Sequence, residues 1–185
     1  MTDEELIARS KAGDVAASEE LWRRYKRAVC AYARKFFFAG GETEDLIQEG
    51  MIGFFGAVND YAPEKEGKMS FKNFAYLCVK RRISDEVKKI RRGEGGGKVL
   101  SIEQENIDCE DGFDPVDSLI EQENRSEFWQ KIGKTLSSFE FRVVVMYLDG
   151  MSYGEMAAAT GKSVKSIDNA LSRSKKKLSG VYAQG

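Results

Sequence analysis

An all-α protein of two small helical domains joined by an acidic flexible linker is predicted by three features of this sequence. Apolar residues recur at helical spacing through most of the 185 residues, with no convincing alternating strand pattern. Only two prolines occur, Pro63 and Pro115, and neither interrupts a strongly periodic segment. A glycine cluster at Gly93, Gly95, Gly96 and Gly97, followed by a charged stretch of low hydrophobicity, separates two periodic halves. The expected domains are therefore 1–92 and 118–185, with the linker at 93–117.

Asp3 to Ala12 reads as a first helix, closed by Gly13-Asp14. A second runs from Val15 to about Phe38, with Leu21, Trp22, Tyr25, Val29, Tyr32 and Phe36 at helical spacing. Gly40-Gly41 breaks the chain. Thr43 can then cap a third helix, and Glu44 and Asp45 place carboxylates at its positive end. That helix continues to about Tyr61, with Ile47, Met51, Phe54, Phe55 and Val58 on its buried side. Its Gly50, Gly53 and Gly56 each cost about 1 kcal/mol relative to alanine, so their repetition points to a second helix approaching closely. After a loop around Pro63 and Gly67, Ser70 caps a long helix reaching about Arg92. Helical patterning resumes near Ser118, through Phe128, Ile132 and Leu136, and another helix covers Phe139 to Leu148. A short helical pair around Gly161 completes the second domain.

The hydrophobic share of 42% is enough for packed cores, and the net charge of −1 conceals a strong segregation of charge. Between Lys80 and Arg92 seven basic residues stand against two acidic ones. From Glu103 to Glu123 nine acidic residues occur without one basic residue. Histidine is absent, which removes the commonest general base and the commonest zinc ligand. Cys30, Cys78 and Cys109 are scattered and odd in number, as expected of reduced thiols in a cytoplasmic protein. With no phosphate loop and no ligand cluster either, the expectation is a protein that is not an enzyme and holds no cofactor or metal. Met1 to Glu5 is acidic, unlike a signal peptide, and no apolar run approaches the roughly 20 residues that span a bilayer, so no membrane is expected.

Three constellations carry the chemistry. In Tyr153 to Ile167, two short helices flank a glycine turn and the second leads into Arg173, Lys175, Lys176 and Lys177, the build of a helix-turn-helix. Ser163 can cap the second helix, while Ile167, Ala170, Leu171, Ser174 and Leu178 share the face that packs it down. Val164, Lys165, Ser166, Asp168 and Asn169 are then placed to reach base edges, and Arg173 and Lys176 to meet phosphates. An ordinary helical hairpin with a solvated basic end is the plainer alternative.

Upstream, Ser70 to Arg82 interleaves aromatics with cations: Phe71, Phe74 and Cys78 share one helical face, Lys72, Tyr76 and Lys80 another. Rings beside cations suit unstacked bases, at about 1–3 kcal/mol per stacked base. Phenylalanines three apart on a helix are also a common core pattern. The third constellation, Asp45, Gln48 and Glu49, forms an acidic-polar helix face at i, i+3 and i+4, which suits a protein partner better than a reaction.

Asp-Leu-Ile-Gln-Glu-Gly at 45–50, Phe-x-x-Phe-Ala at 71–75 with its basic continuation, and the terminal helix-turn-helix together resemble a bacterial sigma-70 family sigma factor, in that family's order. Val164 to Leu171 is particularly similar to the sporulation and stationary-phase sigma-H group. The resemblance implies an alternative sigma factor that binds core RNA polymerase, directs promoter recognition and melts DNA. It places Asp45, Gln48 and Glu49 on a coiled coil of the β′ subunit and the second domain near the β flap. It puts Phe74 against the flipped base of the −10 element, with Phe71 forming or supporting the pocket. Lys80, Arg81 and Ser84 fall near the upstream edge of that element. The −35 reader falls on the helix that starts near Ser163. The nine acidic residues of the linker and the start of the second domain, from Glu103 to Glu123, would imitate nucleic acid in the polymerase channel, and an anti-sigma factor is an admissible partner.

Two departures stand out. Leu77 and Cys78 occupy the place of two adjacent tryptophans found in housekeeping members, which implies less vigorous melting. Val164, Lys165 and Ser166 replace the family's arginine and glutamate readers, which implies a different −35 preference. The family's region 1.1 is expected to be absent, and the linker to replace a folded region 3 domain. The rival readings are a stand-alone helix-turn-helix regulator and an adaptor that sequesters another protein.

Overall fold

The computed structural model describes residues 1–36, 43–63, 69–92, 129–130 and 132–182, and among them no strand occurs. In chain order the helices are α1 (Asp3–Lys11), α2 (Val15–Arg34), α3 (Thr43–Asp60), α4 (Phe71–Arg92), α5 (Ser138–Leu148), α6 (Tyr153–Thr160) and α7 (Val164–Tyr182). The boundaries follow from local chemistry. Thr2 and Glu5 exchange hydrogen bonds across the first turn of α1, satisfying two otherwise orphaned amides. Asp14 accepts from Ala17 N to open α2. Ser70 accepts from Asn73 N at 3.4 Å, the cap expected for α4.

Helices α1 to α4 bury one core, in which Leu6, Leu21, Leu46, Phe54, Phe71, Ile83 and Val87 are fully enclosed. Phe54 and Phe71 sit at its centre with Tyr25 and Tyr61, their rings tilted or edge-on at 5.3–6.1 Å. The buried side of α3 is Leu46, Gly50, Phe54, Ala57 and Val58, while Ile47, Met51 and Phe55 lie at its margin. That rotates the expected face, because Gly50 and Ala57, small residues with little hydrophobic signal, lie on the buried side. A Cβ on Gly50 would fall 2.7 Å from Val29 Cγ1 and 3.0 Å from Ile83 Cδ1. One on Gly53 would meet Arg82 Cβ at 3.1 Å and the Cys78 carbonyl oxygen at 3.2 Å. Gly56 departs from the expectation, since nothing stands within 4 Å of its missing Cβ.

A second core gathers Ile132, Val143, Val144, Met156, Ile167, Ala170 and Leu178 from α5 to α7 and the helical residues just before them. Its electrostatic centre is Glu140. Buried in the first turn of α5, this carboxylate accepts from Ser137 N at 2.9 Å, Lys177 Nζ at 2.6 Å and Arg173 Nε at 3.2 Å. Burial pushes its pKa up, yet the hydrogen bonds from Lys177, Ser137 and Arg173 outweigh it and hold the group at about 2.

Several expectations fall outside the described residues: the linker 93–117 with its acidic run, the helical onset near Ser118, and the Gly40-Gly41 break. Two boundaries differ from expectation. Helix α2 ends at Arg34 rather than near Phe38. Thr43 is the first residue of α3, and its side chain is hydrogen-bonded to Tyr147 of the second domain. The two domains thus touch, through α2 and the start of α3 on one side and the α5–α6 corner on the other.

Alanine at Gly50 has to displace Val29 and Ile83 from a packed core, and loses about 1–3 kcal/mol of stability. Gly56→Ala meets open space and gains up to about 1 kcal/mol from helix propensity alone. Urea unfolding of both variants should move the midpoints in opposite directions. Glu140 has its folded-state pKa depressed from 4.5 to about 2, so its stabilisation is complete above about pH 4.5 and disappears as pH falls towards 2. Glu140→Gln should lower stability at pH 7 by about 2 kcal/mol and flatten that acid limb in pH-dependent thermal melts.

Candidate nucleic-acid interface

The second domain presents its candidate surface through local sequence alone. Ser152 and Glu155 form a reciprocal cap at the start of α6, at 2.6 and 3.3 Å. Gly161 ends α6 at φ 65°, a left-handed conformation that glycine adopts without strain. Ser163 then accepts from Ser166 N at 3.2 Å and opens α7. Ile167, Ala170, Leu171, Ser174 and Leu178 are all buried, the face expected from their spacing. The same packing turns Ser163, Val164, Lys165, Asp168, Asn169 and Lys176 to solvent. Ser166 is half-buried, its hydroxyl 2.9 Å from that of Ser163. Arg173 lies on the outer side of α7, its side chain 57% exposed, with Nε donating to Glu140 at 3.2 Å.

On α4 the structure separates residues that sequence had grouped. Phe71 is 1% exposed and belongs to the core, so it does not face a base. Phe74 is half-buried against Tyr61, at 5.6 Å between ring centroids. Leu77, 49% exposed, extends this apolar strip outward and Cys78 is half-buried at its rim, whereas Tyr76, also 49% exposed, lies on the other flank of α4 with its ring 5.8 Å from that of Tyr32. Lys72 and Arg81 are exposed and Lys80 half-buried around the strip. Ser84, expected at the same edge, is 3% exposed and sits beside Ile83 in the core, so it is a packing residue here. The surface that remains is aromatic and aliphatic in the middle with cations around it. Such a surface can stack unpaired bases and neutralise their backbone.

On α3, Asp45 and Gln48 are exposed on one face, and Glu49 beside them is ion-paired with Arg82 of α4 at 2.6 Å. Ile52, one turn further, is 48% exposed and continues the face with an apolar residue. A polar rim next to a solvent-exposed apolar side chain suits a helical protein partner. Sequence reasoning left out Ile52 as a surface group, although its offset from the buried row would have placed it outside. It also missed Arg27 and Arg34, whose partners are main-chain carbonyls and leave no periodic signal. Among the described residues no group of histidine, cysteine or carboxylate side chains could hold a metal, and no helix is long and apolar enough to cross a membrane.

Comparison with known proteins assigns this geometry. The family description "Sigma-70 region 2" matches residues 21–93, and "Sigma-70, region 4" matches residues 134–178. The RNA polymerase sigma-H factor of Bacillus subtilis is 36% identical over a 193-residue alignment, covering 96% of this chain and 87% of that relative. The ECF RNA polymerase sigma-E factor of Escherichia coli is 22% identical, over 96% of this chain and 93% of its own. Among solved structures, CnrH in complex with the cytosolic domain of CnrY is 23% identical and covers 98% of this chain and 97% of that one, at a TM-score of 0.36. With both domains matched in order and a relative above one-third identity along nearly the whole length, the chain belongs to the sigma-70 family of RNA polymerase sigma factors.

Proposed function

We propose that this alternative sigma factor divides promoter recognition between its two domains, with polymerase binding on a third surface. Asp45, Gln48 and Glu49 grip the coiled coil of the polymerase β′ subunit, with Ile52 adding apolar contact. Phe74 receives a flipped base of the −10 element, Leu77 covers its neighbour, and Lys80 and Arg81 hold the backbone. In the second domain Val164, Lys165, Ser166, Asp168 and Asn169 read the −35 duplex from the major groove. Ser163 orients their helix and Lys176 meets a phosphate. The β flap docks on the open side of α5, where Arg142 and Val145 face solvent. The genes served are those of sporulation or stationary phase, a reading supported by the identity to the Bacillus sigma-H factor.

The observation that carries this reading is one chain holding two separately cored surfaces. One is a helix-turn-helix with its reading face in solvent; the other is a strip of half-buried Phe74 and exposed Leu77 among cations. The first needs paired DNA and the second is useless on it, because stacked bases cannot reach Phe74. Trapping opened bases offsets the few kcal/mol that unstacking costs, so melting requires no covalent chemistry from this chain.

Run-off transcription with purified core polymerase is the direct test: the chain should start transcripts at discrete sites on which core alone is silent. A stand-alone duplex-binding regulator would instead shift −35 duplex without polymerase and yield no transcript. Phe74→Ala removes the stacking ring and should lower open-complex formation about tenfold or more, as judged by permanganate reactivity of melted thymines. Binding of the same variant to core should stay within about twofold of wild type.

A further inference from the structure

Helix α3 has no basic residue in its last turn, although its final carbonyls lack helical partners and form the negative end of its dipole. The cation comes from α1. Lys11, the last residue of that helix, donates from Nζ to the carbonyl oxygen of Tyr61 at 2.7 Å, across 50 positions of sequence. Tyr61 stands just beyond α3, its amide bonded to the Ala57 carbonyl oxygen at 2.9 Å. Its ring, 4% exposed, is edge-on to Phe71 at 5.3 Å and tilted against Phe74 at 5.6 Å. Its hydroxyl donates to the Met69 carbonyl oxygen at 3.0 Å, one residue before the Ser70 cap of α4. One side chain thus backs the Phe74 ring and holds the chain that leads into its helix.

We infer that Lys11 is a positioning residue for base capture: it fixes the main chain of Tyr61, whose ring then sets the angle at which Phe74 meets a flipped base. The inference rests on the sigma-factor reading above, and gives a role to α1, which precedes the residues matched as region 2. Tyr61 is too enclosed to receive a base, so its contribution passes through Phe74. Phe74 is half-buried with Tyr61 against it, and any rotation of Tyr61 tilts the stacking platform. A platform already held at its working angle loses less freedom when a base arrives, and binds it more tightly. Lys11 acts without touching DNA.

The helix that carries Lys11 is itself held at both ends. Leu6 and Ile7 are buried in the first core. Near its start, Asp3 pairs with Arg24 at 2.8 Å and accepts from the Tyr25 hydroxyl. The Tyr25 ring lies edge-on to Phe71 at 5.4 Å, so this end of α1 reaches the same aromatic cluster. Near its finish, the Ser10 and Ser18 hydroxyls are 2.7 Å apart and Arg9 Nε donates to Asp14 at 2.7 Å. The reach of Lys11 to Tyr61 is therefore set by packing. Without the ammonium, the Tyr61 carbonyl loses its protein partner and the turn after α3 is free to fray.

The test uses the full chain with core polymerase on a promoter located by run-off transcription. Lys11→Met keeps the aliphatic stem and removes the ammonium, and Lys11→Arg restores a cation. Closed-complex affinity is read by gel shift and strand opening by permanganate reactivity, with circular dichroism confirming folded protein. Lys11→Met should lower open-complex formation about threefold to tenfold while closed-complex affinity stays within about twofold of wild type. Lys11→Arg should recover most of the loss. In a Phe74→Ala chain the Lys11→Met change should cost nothing further, because the ring it positions is gone. Wild-type strand opening by Lys11→Met, a loss that arginine leaves unrepaired, or an equal loss on top of Phe74→Ala overturns the assignment. Silence of the wild-type chain with core polymerase would instead overturn the sigma-factor reading, so the two failures are distinguishable.

Discussion

Helices α3 and α4 meet at backbone distance, and the layout of the first domain follows from that approach. The missing Cβ of Gly53 points at Cα of Val79 and the carbonyl oxygen of Cys78, at 3.3 and 3.2 Å. No side chain larger than hydrogen fits there without moving α4. With the helices so close, α4 buries every fourth residue from Phe71 through Ala75, Val79 and Ile83 to Val87. Rows at this spacing are among the ridges that interlock between packed helices. Once that row is buried, Phe74 is left at the margin and Tyr76 and Leu77 outside. The same contact brings Arg82 to Glu49, so the acidic edge of α3 and the basic edge of α4 are neighbours. The surfaces proposed to face polymerase and unpaired bases therefore share one rigid frame.

The second domain relies on a different device. Its helices α5 and α6 are short, at 11 and 8 residues, and short helices in water are marginal without capping and tertiary support. Reciprocal caps at Ser137–Glu140 and Ser152–Glu155 define where α5 and α6 begin. Glu140 then does double duty, since the carboxylate that caps α5 also draws in Arg173 and Lys177 from α7. One buried carboxylate thus ties the first helix of the domain to its last, across which α6 is held. The orientation of the reading helix depends on it.

Much of this was legible in the sequence, and the reasons differ by element. The packed face of α7 was read correctly because its buried residues are apolar or small and recur at three and four. The face of α3 was read one position off, because Gly50 and Ala57 carry little hydrophobic signal yet are buried. Phe71 and Phe74 cannot be told apart by type or spacing; only the α3 contact decides which is enclosed. Ser84 is polar and buried, a placement that follows from its neighbour Ile83 rather than from its own chemistry. The caps were available as Ser-x-x-Glu at 137–140 and 152–155 but passed unread. The contact between domains was out of reach, since it is made by long polar side chains to main-chain oxygen.

The engagement of Arg173 and Lys177 by Glu140 carries a consequence for how tightly the second domain holds duplex. Affinity for DNA falls with added salt in proportion to the number of phosphates neutralised and counterions released. A cation already balanced by a buried carboxylate displaces fewer ions from the duplex than one standing alone. The cluster at 173–177 should therefore show a gentler ionic-strength dependence than its number of lysines and arginines would indicate, leaving discrimination between sequences to weigh more heavily than bulk attraction.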